Sequence, residues 1–461
     1  MQQKESNSSH RSNKSICTLI PYLASMKYLT ILLTVSFIAI SSLLPAQSEL
    51  ELQLFELPDV IFKAIDTPDG YEAAYQLKIK QPIDHNDPSK GHFYQRVFLS
   101  HKGYEAPMAI ITNGYGRPTN RITEVAKITN ANQLQVEHRY FLESSPETLD
   151  YEYLDFEQVT ADLHNITTLF KQLYSGKWIS SGISKGGTTT IFYRYFYPED
   201  VDVSIPYVAP VNHSAEDPRI YEFLDNVGTA ECRQAIEDYQ MKMLQDADQI
   251  KSYLKWFAKG QGLEFTYIDM DEAYEYAILE YPFSFWQWGS DCDKIPDSSA
   301  PIDTLMQHFV DVVGLEFYSD ASMEGYASHY FQSAEEMGYY GFEIEEFKGL
   351  IKHLDTNSNP SAIFTPEGKP VKFKGELTNK VYQWTQQTDL PFIYINGAND
   401  TWSATAVPEV KSSPSLWFFM EGKSHGDARI KNLSEVHKER LQRRLSSWLD
   451  EDVDLGVLED K

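Results

Sequence analysis

The stretch KWISSGISKGGTTTIFYRYFYPED, Lys177 to Asp200, decides the reading of this chain. Its first part, KWISSGI, has the β-branched and aromatic character of a strand, and the part after Ser184 has the spacing of a helix. Between them lies Gly182-Ile183-Ser184-Lys185-Gly186. A serine that serves as a nucleophile at a strand-to-helix turn sits in a strained backbone conformation. It tolerates no bulk two residues to either side, and Gly182 and Gly186 leave that space. The helix that follows turns its positive end toward the same hydroxyl, which favours negative charge developing there. A glycine-rich turn with a capping serine gives the same pentapeptide, so the surroundings decide.

Working outward, the period switches repeatedly between strand and helix. YEAAYQLKIKQPIDH and GHFYQRVFLSH alternate apolar and polar residues around the turn-rich NDPSKG and read as an antiparallel pair. PMAIITNGYG (Pro107 to Gly116) and NQLQVEHRYF (Asn132 to Phe141) read as further strands. Asp155 to Gly176 places Phe156, Val159, Leu163, Ile166 and Phe170 at helical steps. VDVSIPYVAP then reads as a strand. From about Asn212 to Lys380 the chain turns rich in acids, aromatics and helical periods. Strand signals resume in PFIYINGAND (Pro391 to Asp400) and SLWFFMEGKSHG (Ser415 to Gly426), and EVHKERLQRRLSSWLD closes as an amphipathic helix. Strands alternating with helices imply an α/β fold with a mainly parallel sheet entered through antiparallel strands. With the serine turn this is an α/β-hydrolase fold, its sheet domain at 47–211 and 381–461 and a helical lid inserted at 212–380.

Composition narrows the partners. The 461 residues are 42% hydrophobic and carry a formal charge of −27, which suits a large globular core and argues against nucleic acid or anionic lipid as a partner. Residues 1–46 read as a leader: MKYLTILLTVSFIAISSLLPAQS begins at Met26, runs apolar from Tyr28 to Leu44 and ends in small residues near Ala46, as a secretory signal does. A retained membrane anchor is the alternative; with the leader removed, no stable membrane partner is expected of the mature chain. Of the cysteines, Cys17 falls in the leader. Cys232 and Cys292 remain, either as one disulfide, closing a loop worth roughly 4 kcal/mol, or as two buried thiols. No spacing suggests a zinc site, and no cofactor is implied.

A serine hydroxyl needs a base, and the base an orienting acid, which in this fold follow in the order serine, acid, histidine. Asp400 ends a strand, and His425 lies just beyond another. His437, in the closing helix, and His213, just after a strand, are poorer bases, and Asn399 lacks the charge to replace Asp400. The oxyanion hole needs the amide of Lys185 and a second from TNGYG, first Tyr115 and then Gly116.

QPIDHNDP, FYQRVFLSH, NGYG, VEHRYF, YLDFEQVTADLHNI, WISSGISKGGTTTIFYRYFYPEDVD, GTAECR, GSDCDKIP, EYPFSFWQWG, GYYGFE, NGANDTWSATAV and GKSHGDARI together resemble the secreted serine peptidases of family S37, the tripeptidyl aminopeptidase type. More distantly they are similar to family S28, and Lys185 after the serine follows the S37 pattern. The resemblance implies Ser184 as nucleophile, Asp400 as acid, His425 as base, and the helical insertion as a lid. It also implies cleavage of peptide substrates near a free N-terminus, releasing tripeptides. Such an enzyme must hold an ammonium, for which a buried carboxylate is suited; Glu280 in ILEYPFSFWQWG is the candidate. Phe285, Trp286 and Trp288 read more readily as core than as subsite, and the Lys185 ammonium as pointing away from the chemistry. A lipase or esterase, or an inactive relative that only binds, are the alternatives.

Overall fold

A computed structural model describes residues 48–354, 363–365 and 371–459. The expected leader, residues 1–46 with Cys17, lies outside these. The chain divides into two units, Met1–Glu56 and Leu57–Lys461. Of the first, the described part is helix α1 (Glu49–Glu56), where Ser48 and Glu51 cap each other: the Glu51 amide donates to Ser48 Oγ and the Ser48 amide to Glu51 Oε2, both at 3.1 Å.

The second unit is built on a nine-stranded sheet of order β1-β2-β3-β5-β4-β6-β7-β8-β9. Its strands are β1 (Val60–Ala64), β2 (Ala73–Pro82), β3 (His92–His101), β4 (Met108–Thr112), β5 (Asn132–Val136), β6 (Trp178–Ile183), β7 (Val203–Tyr207), β8 (Ile393–Gly397) and β9 (Leu416–Met420). The pairs β1–β2, β2–β3 and β3–β5 are antiparallel and the rest parallel, the arrangement expected of an α/β-hydrolase. The sequence shows why. Along β2, Leu77 and Ile79 are buried while Lys78 between them is exposed, the alternation of a strand with one wet face. Every residue of β4 and β7 is buried, because helices cover both faces.

Helices α2 (Glu124–Ile128), α3 (Phe156–Phe170) and α4 (Lys185–Phe196) make the crossovers between parallel strands. Asp155 caps α3 by accepting the Gln158 amide at 2.7 Å, and Phe156, Val159, Leu163, Ile166 and Phe170 are its buried face. The strand order doubles back at β4, which lies between β5 and β6. In open α/β sheets the crevice at the carboxyl ends of such strands is where ligands bind.

After β7 the chain leaves the sheet for α5 (Pro218–Asn226), α6 (Ala230–Gln245), α7 (Ala247–Gln261), α8 (Met270–Trp288), α9 (Ile302–Val312) and α10 (Asp320–Gln332). These form their own apolar cluster around Tyr239, Met243, Leu254, Tyr274 and Phe309, separate from the clusters against the sheet. Cys232 at the start of α6 is joined to Cys292 just beyond α8, with Cα atoms 5.5 Å apart. The longest of these helices, α8, starts at a reciprocal cap between Asp269 and Glu272 and ends at Gly289, whose φ of 75° a residue with a side chain adopts at a penalty. Helix α11 (Glu376–Thr385) packs Val381 into the sheet's cluster and leads into β8, and α12 (Glu435–Leu449) closes the chain against β9 and its neighbours. Among the described residues no helix is long and apolar enough to cross a membrane.

Candidate active site

Ser184 occupies the turn between β6 and α4 with φ 57° and ψ −128°, outside the regions an L-residue prefers. The turn is held from several sides. The Ser184 amide donates to the Tyr207 carbonyl at 2.9 Å, and the Thr112 hydroxyl donates to the Gly186 carbonyl at 2.7 Å. A Cβ on Gly182 would collide with that carbonyl and with Thr112 Oγ1, and one on Gly187 would stand 2.7 Å from the Tyr207 carbonyl. The glycines are therefore needed for close approach of β6, α4 and the loop after β4, with the strain confined to Ser184.

Two side chains from later loops pair with each other, and one of them shares a cavity with this turn. Asp400, fully buried after β8, fixes its own loop by accepting the Trp402 amide on Oδ1 at 3.2 Å. Its Oδ2 lies 2.8 Å from Nδ1 of His425, which follows β9. A carboxylate in that position assigns the proton to Nδ1 and leaves Nε2 as an acceptor. The His425 amide donates to the Gln287 carbonyl of α8 at 2.9 Å, and the Trp288 ring meets the imidazole edge-on at 5.8 Å, so the helical insertion helps place the histidine. Ser184 and His425 line one cavity of about 680 Å³ with Tyr115 and Glu280. No hydrogen bond joins Ser184 to His425 in this structure. The hydroxyl instead interacts with that of Tyr115. Catalytic hydrogen bonds of unliganded sites are often long and tighten with substrate.

Of the remaining candidates, His437 packs against Phe418 and His213 against Tyr382, neither on the cavity, and Asn399 uses its amide on the Lys423 carbonyl. The loop after β4 lies flat on the first turn of α4: a Cβ on Gly114 would stand 2.6 Å from Lys185 Cβ and 2.8 Å from the Gly186 nitrogen. Among the described residues the amides of Lys185, Tyr115 and Gly116 have no hydrogen-bond partner within the protein, as donors awaiting a substrate oxygen must.

The Lys185 side chain is not on the cavity wall. It is buried beneath the loop of Gly114 to Gly116, with Nζ 5.6 Å from the Tyr115 ring centre, 5.2 Å from that of Phe141, and without a hydrogen-bond partner. Burial pulls its pKa down to about 7. Nearby His138 and His329 are pushed well below the usual imidazole range, first by burial and then by Lys185. Phe285 and Trp286 belong to the core of the insertion, whereas Trp288 is exposed on the cavity rim.

Glu280 lies on the cavity from α8 and is 5% exposed. Ser284 Oγ donates to its Oε1 at 2.8 Å, while Oε2 is buried with no hydrogen-bond partner. Burial raises its pKa to about 7, opposed by Tyr340 and Ser284. Aromatic walls flank it: Phe283 stacks on Tyr340 at 3.8 Å, and Trp402 stands edge-on to Phe283 at 5.1 Å. No pattern in the sequence joins these three rings, although GYYGFE, which holds Tyr339 and Tyr340, is among the stretches that carry the family resemblance.

Comparison with known proteins follows this geometry. The family described as PS-10 peptidase S37 matches residues 45–452. The chain is 30% identical over 415 residues to the "Prolyl tri/tetrapeptidyl aminopeptidase" of Streptomyces mobaraensis, covering 86% of each chain. It is 20% identical to the "Probable serine protease EDA2" of Arabidopsis thaliana, covering 83% of this chain and 90% of the other. Among solved structures, the proline iminopeptidase of Mycobacterium smegmatis aligns over 81% of this chain and 97% of its own, at 12% identity and a TM-score of 0.39.

Proposed function

Because the chain belongs to the peptidase S37 family and is therefore a serine peptidase, we propose that it removes tripeptides from free N-termini, with Ser184 as nucleophile, His425 as general base and acid, and Asp400 orienting the imidazole. Ser184 Oγ attacks the scissile carbonyl as its proton passes to His425 Nε2. The amide of Lys185 and a second donor from the loop of Tyr115 and Gly116 receive the oxyanion. The imidazolium, stabilised by Asp400, returns the proton to the leaving amine, and water then releases the acyl group by the same steps in reverse order.

The observation that carries the exopeptidase reading is Glu280, a carboxylate with one oxygen unpaired in the cavity that holds Ser184. A buried acid without a cation is unfavourable, and a substrate ammonium would complete it. Helix α8 supports the length of the released peptide. Within it, Glu280 and Gln287, whose carbonyl holds His425, are separated by a rise of about 10 Å at ~1.5 Å per residue. An extended chain covers that distance in about three residues. The Phe283, Tyr340 and Trp402 rings give flat apolar surfaces of the size of a pyrrolidine, in keeping with a prolyl peptide as substrate, the word in the name of the Streptomyces relative. The disulfide and the leader-like residues 1–46 support secretion.

Incubating the protein with a mixed peptide library and sequencing the fragments by mass spectrometry tests this reading. N-terminal fragments of uniform length are expected, and none from N-acetylated peptides. Internal cuts, or equal cleavage of acetylated peptides, would overturn it. An esterase acting on lipid would gain nothing from a buried carboxylate in its acyl cavity, so fatty-acyl esters are expected to be poor substrates.

A further inference from the structure

The second oxyanion donor of the Tyr115 loop can be an amide or the Tyr115 hydroxyl, but not both from Tyr115, whose nitrogen and phenol oxygen stand at least about 6 Å apart by bond lengths alone. That ring is the most constrained group in the cavity. Phe141 meets it at 5.9 Å and 85°, Tyr326 at 5.7 Å and 86°, and His329 at 5.3 Å and 69°, while Lys185 Nζ stands over its face at 5.6 Å. Edge-to-face contacts from three rings and a cation leave little freedom for rotation about its side-chain bonds. The Tyr115 carbonyl accepts the His138 amide at 3.3 Å, so the backbone from which the ring springs is fixed as well. The residue is partly exposed, and what is exposed opens onto the cavity. Its hydroxyl interacts with Ser184, and among the described residues no other hydrogen-bond partner is found for it. The protein thus builds a rigid cage whose one polar tip stands beside the nucleophilic oxygen.

We propose that the Tyr115 hydroxyl is a catalytic hydrogen-bond donor, which turns from the Ser184 oxygen to the scissile carbonyl oxygen as that oxygen becomes an oxyanion. The inference rests on Ser184 being the nucleophile. In the step itself, Ser184 Oγ forms the new bond to carbon, its proton passes to His425 Nε2, and the carbonyl π pair moves onto oxygen. Tyr115 donates a hydrogen bond throughout and keeps its proton. In the free site the phenol meets a neutral hydroxyl. In the tetrahedral intermediate it meets a full negative charge roughly 2 Å farther on, a reach set by bond lengths of about 1.4 Å. A bond to an ionised acceptor is roughly twice as strong as one to a neutral acceptor, so the gain is specific to the transition state and appears in kcat. Burial raises the phenol pKa, which keeps the proton in place across the neutral range. Lys185, when charged over the ring face, draws electron density from the phenol and strengthens it as a donor.

The test is Tyr115→Phe, which keeps the ring and its cage. With a tripeptidyl chromogenic substrate, kcat is expected to fall on the order of 10²-fold, the usual effect of removing one oxyanion donor, with KM little changed. Binding of a peptide aldehyde, which forms a tetrahedral adduct on the serine, should weaken by a similar factor while binding of the product tripeptide is unchanged. A ring that only shaped the loop would move none of these. Incorporating difluorotyrosine at position 115 keeps both ring and hydroxyl but makes the phenol more acidic, so the alkaline limb of kcat should move toward neutral pH. A Phe variant with wild-type kcat and aldehyde affinity overturns the proposal, as does an unmoved alkaline limb if the Phe variant does not fold. Fluorophosphonate labelling of Ser184 in the wild-type protein separates the two levels: absence of labelling overturns the nucleophile assignment itself, and with it the role of Tyr115.

Discussion

Replacing Glu280 by Gln is predicted to make the protein more stable and less active at once. The Gln variant keeps the shape and the Ser284 hydrogen bond but carries no charge. In the free protein, burial raises the Glu280 pKa from 4.5 to about 7. The folded state then binds the proton more tightly than the unfolded state, so stability is unaffected below pH 4.5, declines as pH rises toward 7, and stays reduced above. At 1.36 kcal/mol per pKa unit the loss at pH 8 is about 3 kcal/mol. Glu280→Gln should recover about that amount at pH 8 in urea denaturation and little at pH 4.5. Substrate binding runs the other way. A carboxylate and an ammonium about 3.5 Å apart attract by about 5 kcal/mol at an effective dielectric near 20, and desolvation of the ammonium leaves a net loss of about 3 kcal/mol when the charge is removed. That is on the order of 10²-fold in kcat/KM for substrates with a free amine. N-acetylated substrates, which the wild type should reject, ought to be indifferent to the change. Equal kcat/KM in the two proteins, or equal stability at pH 8, would refute the reasoning.

Other consequences are open to measurement. Asp400→Asn, which would favour the wrong imidazole tautomer at the 2.8 Å contact with His425 Nδ1, should lower kcat on the order of 10⁴-fold with little loss of fold, read with a tripeptidyl chromogenic substrate and circular dichroism. Cys232→Ser opens a loop with sequence separation 60 and should lower stability by about 4 kcal/mol in the chain-entropy picture, seen as earlier urea unfolding and faster proteolysis of the insertion. Ser184→Ala, which binds substrate without turning it over, should release about half a proton per substrate at pH 7, where Glu280 is about half ionised. Calorimetry in buffers of different ionisation enthalpy measures this, with nearly a whole proton released at pH 6 and nearly a whole proton taken up at pH 9, where the peptide amine, of pKa about 8, must itself be protonated to bind. The Tyr115→Phe variant described above completes the set.

The sheet was legible because its strands are buried on both faces, so MAIIT and VSIPY declare themselves by continuous apolarity, and the antiparallel entry by its alternation. The serine turn was legible because close approach excludes side chains, which leaves glycine as a visible trace at Gly182 and Gly186. Asp400 and His425 could be picked out as the acid and histidine that follow later strands. What encloses the Lys185 side chain was not legible, because Phe141 arrives from the β5 side and Tyr115 from the β4 loop. The aromatic walls were hidden for a related reason. Phe283, Tyr340 and Trp402 come from α8, the segment after α10 and the loop after β8, and no local period connects them. Nor could the sequence separate Trp288 from Phe285 and Trp286, because one helical turn divides a core face from a cavity rim.

Glu280, on the cavity wall, and Lys185, behind it, are two groups that burial draws toward their neutral forms before substrate arrives. Their pKa values move in opposite senses, the acid up and the amine down, each to about 7 and each chiefly through burial. Had they been paired, attraction would have driven the shifts apart instead, lowering the acid and raising the amine. The convergence therefore says that each stands alone, one beside the expected ammonium position and the other beneath the oxyanion loop. A peptide bringing a positive N-terminus favours ionised Glu280, and a carbonyl gaining negative charge beside Ser184 favours protonated Lys185. An N-blocked peptide supplies only half of that pattern, which turns selectivity for free N-termini into a property of the chemical step as well as of binding.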